Sequence, residues 1–340
     1  MRVHRINSVI GGEPIAMKVL IVKTSSMGDV LHTLPALTDA VMRYPDIQFD
    51  WVVEENFVEI PRWHNAVKRV IPVAIRRWRK NWLAKSVRQQ RAVFRAQLQQ
   101  QEYDAVIDAQ GLLKSAFLIT RLASDVSHGY DWKSAREPIA SLFYDCRYSV
   151  NKQLHAVERI RQLFADSLHY SKPTIVGDYG IAAYFSPPAL AKENDPYIIF
   201  FHATTRDKKH WPESHWRQLI TAVAAKGLTV KLPWGTNLEH QRALRLAASF
   251  KHFEVLPKLS LDKLAQQIVA AKAVVSVDTG LSHLTAALSK PNITLYGPTD
   301  PGLIGGYGEA QQAIVSADGN MATIKPNEIY QRLVLIIDNK

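Results

Sequence analysis

Residues 18–37 read KVLIVKTSSMGDVLHTLPAL, and this stretch decides the fold. Val19, Leu20, Ile21 and Val22 form an unbroken apolar run of strand length, the pattern of a strand covered on both faces. Thr24, Ser25, Ser26, Met27 and Gly28 make a short polar turn, and a helix is predicted to open at Asp29. Val30, Leu34, Leu37 and Val41 then recur at i, i+4, i+7 and i+11, one helical stripe. In an open α/β sheet, ligands bind outside the carboxyl ends of the strands, so this turn is a place for chemistry. The competing reading makes Asp29 a helix cap, a role for which Asp is favoured.

The same strand-then-helix unit recurs along the 340 residues, a length that suggests two domains at roughly 150 residues each. In the first half, strands are predicted at 19–22, 49–53, 70–73 and 105–108, and helices at 29–44, 82–100, 112–122 and 153–168. Such alternation implies a parallel sheet with crossover helices. Residues 172–196, rich in Pro and Gly, break every period and read as a linker. A second series follows, with strands at 198–202, 229–232, 253–256, 274–277 and 293–296 and helices at 212–226, 238–250, 261–271 and 281–288. The reading is α/β: two Rossmann-like domains, 17–171 and 197–323, facing each other across a cleft. The last segment, 324–340, carries a helix that fits either domain, including packing back on the first.

The first sixteen residues lack the apolar core of a signal peptide and read as an extension with no part in the fold. No run approaches the ~18 apolar residues of a membrane span. A single cysteine, Cys146, leaves no internal disulfide and fits a reducing cytoplasm. The net charge of +11 is local: residues 60–101 carry eleven Lys and Arg and no Asp or Glu, while the rest of the chain balances. Solvated faces normally mix signs, so an uninterrupted cationic stretch points to an anionic partner. On the helix at 82–100, Leu83, Val87, Phe94 and Leu98 share one face, and Lys85, Arg88, Arg91 and Arg95 an adjacent one.

Two turns in the second half suit phosphate. In VVSVDTGLSHLTAAL, residues 274–288, a strand ends at Asp278, Thr279 and Gly280 turn, and a helix begins. Free N–H groups at such a start attract anions, with Leu281, Leu284 and Leu288 facing the core and His283 pointing away to solvent. In FHATTRDKKHWP, residues 201–212, two hydroxyls, Thr204 and Thr205, stand beside Arg206, Lys208 and Lys209. Hydroxyls and an ammonium together suit a diphosphate. Glu239, near a helix start, fits either ribose hydroxyls or a favourable first-turn acid. There is no G-x-G-x-x-G, no P-loop, no Asp-x-Asp pair and no zinc spacing. The glycine-rich stretch at 297–308 fits no phosphate-loop template and reads as flexible.

Together, KTSSMGDVLHTLPAL, DAQGLLKSA, HATTRDKKHWP, VSVDTGLSHLTAAL and YGPTDPGLIGGYG resemble the bacterial ADP-heptose:lipopolysaccharide heptosyltransferases, glycosyltransferase family 9. The resemblance runs from Met17 to about Lys340 and is nearest to the members that add the first inner-core heptose. It implies the two-domain glycosyltransferase B architecture and a metal-independent, inverting transfer from ADP-L-glycero-β-D-manno-heptose to Kdo of Kdo2-lipid A. The donor is a co-substrate, and no cofactor or metal is implied. Asp29 corresponds to the family's general base and Lys209 to the group that stabilises the leaving diphosphate. Donor contacts fall on Thr204, Thr205, Lys209, Glu239, Leu259, Asp278, Thr279, Gly280 and His283. Leu259 stands where the family often has Met, and the surroundings of Glu239 depart from the family pattern. An acidic acceptor accounts for the cationic stretch, with Arg76, Arg77, Arg79, Lys80 and Arg136 as candidate grips and Trp78 and Trp82 resting against lipid. The implied protein is a monomer, cytoplasmic and peripheral on the anionic inner face of the inner membrane. Competing readings are transfer to the second heptose position, a nucleotide-dependent oxidoreductase, and a binder of single-stranded nucleic acid through the basic segment. The missing glycine fingerprint counts against the oxidoreductase, and the missing binding module against nucleic acid.

Overall fold

A computed structural model describes residues 9–10, 13–14, 16–123, 125–185, 196–248, 250–251 and 253–338. It divides into two compact units, Met1–Gly180 and Ile181–Lys340. Among the described residues, no helix is long and apolar enough to cross a membrane. Most of the expected extension, 1–16, lies outside the described residues; Val9–Ile10 and Glu13–Pro14 pair with each other as two short antiparallel strands.

The first unit is built on strands β1 (Lys18–Val22), β2 (Gln48–Glu54), β3 (Val67–Val73), β4 (Ala105–Asp108), β5 (Ser127–Tyr130) and β6 (Cys146–Tyr148). All pairings are parallel, in the order β3-β2-β1-β4-β5-β6. This is the doubly wound order, and it reverses between β1 and β4. The apolar run that opens the chain is therefore central, with Val19, Leu20, Ile21 and Val22 wholly buried. The predicted helix at 29–44 is two helices, α1 (Met27–Leu31) and α2 (Leu34–Arg43). Pro35, in the first turn of α2, has no N–H to offer the carbonyl of Leu31, so the ladder breaks there.

Helix α3 (Lys85–Leu98) buries Val87, Phe94 and Leu98 against the sheet, whereas Leu83, expected on that face, precedes the helix and is 76% exposed. Helix α4 (Leu113–Leu118) ends early in a 3-10 turn, Thr120–Leu122, and α5 (Ala156–Leu168) closes the unit. Strands β5 and β6 were absent from the sequence expectation because neither is an apolar run. Gly129 of β5 lies so close to Tyr144 that an added Cβ would stand 2.3 Å from its ring.

The first part of the expected linker is docked, not loose. Arg161, 1% exposed, grips Asp39 through Nε (2.7 Å) and Nη2 (3.2 Å). The same guanidinium donates to the carbonyls of Ile175 (2.9 Å) and Pro173 (3.3 Å), tying that segment to α2 and α5. Residues 186–195 lie outside the described residues.

The second unit repeats the plan with β7 (Tyr197–Phe201), β8 (Thr229–Leu232), β9 (Phe253–Val255), β10 (Ala273–Val277), β11 (Asn292–Tyr296) and β12 (Gln311–Val315). Their order, β9-β8-β7-β10-β11-β12, is again all parallel, with its switch point between β7 and β10. The helices are α6 (Glu213–Ala224), α7 (Asn237–Ala247), α8 (Leu261–Ala270), α9 (Gly280–Ala287) and α10 (Pro326–Asp338). Helix α10, which the sequence left to either domain, has Ile329 and Leu333 in this unit's core with Trp211 and Trp216. Trp211 Nε1 donates to the carbonyl of Ile324 at 3.1 Å, fixing the approach to that helix. The stretch expected to be flexible contains a helical turn, Pro301–Ile304, capped by Asp300.

Candidate active site

In the first unit the candidate residues follow the carboxyl ends of the strands. Asp29 follows β1, Arg76 to Lys80 follow β3, and Arg136 follows β5. Asp29 is not the N-cap: α1 opens at Met27, with Ser26 as N-cap and Asp29 at N3 closing a capping box. Its Oδ2 accepts from Ser26 N at 2.7 Å and from Ser26 Oγ at 3.1 Å. Among the described residues Oδ1 has no partner, so one oxygen holds the turn and the other is available.

The turn before Asp29 is held across the switch point by Gln110. Its Oε1 accepts from Thr24 N (2.9 Å), Thr24 Oγ1 (3.3 Å) and Ser25 N (3.2 Å). Gln110 is in turn set by Asp108, a fully buried carboxylate that accepts from Gln110 N (2.9 Å) and Gly111 N (3.2 Å). Tyr144, Thr120 and Ser115 hydroxyls complete its shell at 3.0, 3.0 and 3.2 Å, while burial pushes the Asp108 carboxyl above its usual range. Gly111 has φ +63°, and an added Cβ would stand 3.3 Å from the Tyr130 ring and 3.4 Å from Arg136 N. Lys23, 6% exposed, donates to the carbonyl of Ala109 at 2.8 Å. Burial lowers its pKa, and the Asp29 and Asp108 carboxylates pull it back up. Sequence reasoning missed Lys23 and Gln110 as site residues. The only signal for them was their presence in the KTSS and DAQG motifs.

Arg76, Arg79 and Lys80 are exposed, and among the described residues their side chains make no salt bridge. Arg76 is anchored by its backbone N–H, which donates to Glu54 Oε1 at 3.1 Å. Arg77 departs from the expectation of a free cation: its Nε and Nη2 fork onto Glu55, both at 3.0 Å, and its Nη1 donates to Gln90 at 2.9 Å. Trp78 departs as well. It is 6% exposed, donates to Gln90 at 2.8 Å and packs edge-on against Phe94, so of the two tryptophans only Trp82 remains half-open. Arg136 is exposed.

In the second unit the candidates likewise gather at one edge of the sheet. Thr204, Thr205 and Lys209 follow β7, Glu239 follows β8, Leu259 follows β9, and Asp278, Thr279, Gly280 and His283 follow β10. The structure joins the β7 and β10 groups directly. Thr204 Oγ1 donates to the carbonyl of Asp278 at 3.2 Å, and Lys209 Nζ pairs with the Asp278 carboxylate, both side chains largely buried. Thr204 N donates to His210 Nε2 at 3.2 Å, bracing the loop from behind. Thr279 is the N-cap of α9 and makes no side-chain cap bond, so the helix start presents N–H groups for an anion. Thr205 is exposed and Leu259 half-buried.

Glu239 takes the role of first-turn acid: its Oε2 accepts from Gly235 N (2.7 Å) and Thr236 N (2.9 Å) in a capping box. His283 is 7% exposed, not the solvated histidine its helical position suggested, because α9 is buried nearly all round. His202, also missed, is 1% exposed at the end of β7, and burial beside Arg242 and His210 pushes it down to about 3. Among the described residues, no group of three or more His, Cys, Asp or Glu is arranged to hold a metal ion.

A sequence profile of glycosyltransferase family 9 (heptosyltransferase) matches residues 91–333. The chain belongs to this family. The heptosyltransferase is similar to lipopolysaccharide heptosyltransferase 1 of Salmonella typhimurium, at 60% identity over 317 residues covering 93% of this chain and 100% of the relative. The Escherichia coli protein of the same name is also 60% identical, covering 93% and 99%. A solved structure described as E. coli heptosyltransferase WaaC with ADP superposes with a TM-score of 0.91 at 59% identity, covering 94% of this chain and 100% of that one. Another, described as WaaC with ADP-2-deoxy-2-fluoro heptose, gives 0.88 at 58% identity, covering 95% and 100%. The two doubly wound units are those of the glycosyltransferase B architecture.

Proposed function

We propose that this heptosyltransferase moves L-glycero-D-manno-heptose from ADP-L-glycero-β-D-manno-heptose to Kdo of Kdo2-lipid A, with inversion at the anomeric carbon. The observation that carries the assignment is Asp29, with one oxygen locked in its own helix turn and the other uncommitted. An inverting displacement needs one base and no protein nucleophile. Asp29 takes the proton of the attacking Kdo hydroxyl as the new C–O bond forms and the bond to the ADP oxygen breaks. The leaving diphosphate gains charge, which Lys209 and the N–H groups at the start of α9 stabilise. Lys209 is held for this by Asp278, and Thr204 by the Asp278 carbonyl. Thr205, Glu239, Leu259 and His283, on the loops that follow β7 to β10, line the rest of the donor seat; the ADP and ADP-sugar complexes described for relatives support the identity of the donor.

The acceptor carries carboxylates and phosphates, for which Arg76, Arg79, Lys80 and Arg136 supply unpaired cations. Arg77 joins them only by leaving Glu55, an exposed pair worth little. No metal or cofactor enters this reaction. The enzyme acts as a monomer at the anionic cytoplasmic face of the inner membrane. Incubation with ADP-heptose and Kdo2-lipid A, followed by mass analysis, is expected to show one added heptose. Asp29→Asn is expected to lose at least about a thousandfold in kcat with ADP-heptose affinity retained, in line with removal of a base and its proton acceptor. Near-normal turnover in that variant would remove Asp29 from the role.

A further inference from the structure

The first unit contains an open groove of about 620 Å³ between α3 and the segment running from α4 through Leu122. Its floor is apolar: Val73, Trp78, Phe94 and Ile119. Its rim is cationic, formed by Arg88, Arg91, Arg95 and Arg121. No acid lines it, and among the described residues none of these four arginines has a carboxylate partner. Two are laid over aromatic walls, Arg91 at 3.7 Å from the Trp82 ring centroid and Arg121 at 5.7 Å from that of Phe117. Phe117 is 46% exposed and Leu83, just before α3, 76% exposed, so apolar surface continues to the mouth.

We propose that this groove seats one acyl chain of an anionic glycerophospholipid, whose phosphate is held by the rim arginines. The shape and the charge require each other. A neutral lipid would leave four cations unanswered, and a nucleic acid would answer them but leave the apolar floor unfilled. Each rim arginine near an anionic leaflet adds about 1 kcal/mol, and the floor adds the burial of the chain's apolar surface. The site uses a different set of arginines from those assigned to the acceptor, and its binding is measurable without any transfer reaction. It supplies a lipid contact on the wall of the first unit, independent of the Kdo assignment.

The test uses the full chain and vesicles of phosphatidylcholine with or without phosphatidylglycerol, measured by co-sedimentation. Binding is expected only with phosphatidylglycerol present. Ala92→Trp, which fills the groove from an exposed lining position without altering charge, is expected to weaken it about tenfold. Replacing Arg88 and Arg95 together by Gln is expected to weaken it on the order of thirtyfold, from two surface cations lost. Phosphatidylglycerol with brominated chains is expected to quench the emission of Trp78 and Trp82, which both line the groove, and Trp82→Phe to remove part of that quenching. The quenching arm needs no groove-filling variant, so it decides the matter if Ala92→Trp does not fold. The proposal is overturned if Ala92→Trp binds like the parent, if brominated chains do not quench, or if single-stranded oligonucleotides bind as tightly as the anionic vesicles.

Discussion

Replacing Gln110 by Leu tests how Asp29, the proposed base, is positioned. Gln110 Oε1 is the acceptor for two main-chain N–H groups, Thr24 at 2.9 Å and Ser25 at 3.2 Å, on residues 1% and 7% exposed. Leucine fills a similar volume and accepts nothing. A buried donor left without a partner costs about 1–3 kcal/mol, so the pair costs about 2–6 kcal/mol, and about 3 if water reaches one of them. For a domain of this size 1 kcal/mol moves Tm by about 2–4 °C, giving an expected drop of about 6–12 °C by calorimetry. The freed turn also carries Asp29, and a displacement of about 1 Å in a catalytic group can cost on the order of 100-fold. We therefore expect kcat to fall by about 10–100-fold while ADP-heptose affinity stays within about twofold, because the proposed donor seat lies on the other unit. A Tm shift under about 2 °C together with unchanged kcat would refute the positioning argument.

Lys209→Met is expected to weaken ADP-heptose binding and lower kcat on the order of 100-fold; joining it with Asp278→Asn should recover stability lost to the unpaired carboxylate but not activity. Unaltered single-variant kinetics would return Lys209 to a structural role. Changing Arg76, Arg79 and Lys80 together to Gln is expected to raise acceptor KM at least about tenfold with donor KM unmoved. Arg77→Gln should do less, because Glu55 already occupies that guanidinium. His64 and His202 are held neutral by burial, at about 4 and about 3, below the unfolded value of 6.5. From pH 6.5 down to those values only the unfolded chain takes up their protons. Their stabilising contribution is complete above about pH 6.5 and declines on acidification by up to about 1.4 kcal/mol per pH unit for each residue. Denaturant titrations at pH 7.5, 6 and 5 should show the loss, and a His64→Gln/His202→Gln variant should show a shallower one. An equal slope in the variant would exclude these two residues as its cause.

Short-range information in the chain was enough for the architecture. The run Val19 to Val22, the polar turn after it and the strand–helix alternation are local patterns, and each central strand is an apolar run because helices cover both its faces. The cationic stretch and the family motifs are equally legible, since they are properties of neighbouring residues. Other features were decided by pairings between residues far apart in the chain. Gln110 meets Thr24 across 86 residues, and Lys209 meets Asp278 across 69. Arg77 is occupied by Glu55 from the end of β2, Trp78 turns inward to Gln90, and Leu83 outward to solvent. Strands β6 and β12 are polar at the sheet edges, where fewer faces are covered and an apolar run is not required; β5 is buried throughout, and its Ser127 and His128 are satisfied by Asp145 (2.7 Å) and Tyr148 (2.9 Å), partners far along the chain. The sequence by itself determined two Rossmann-like units and the strand-end loops on which the candidate residues sit. Only the tertiary structure decided which of those side chains are already held by partners and which remain available, because that depends on contacts no local periodicity encodes.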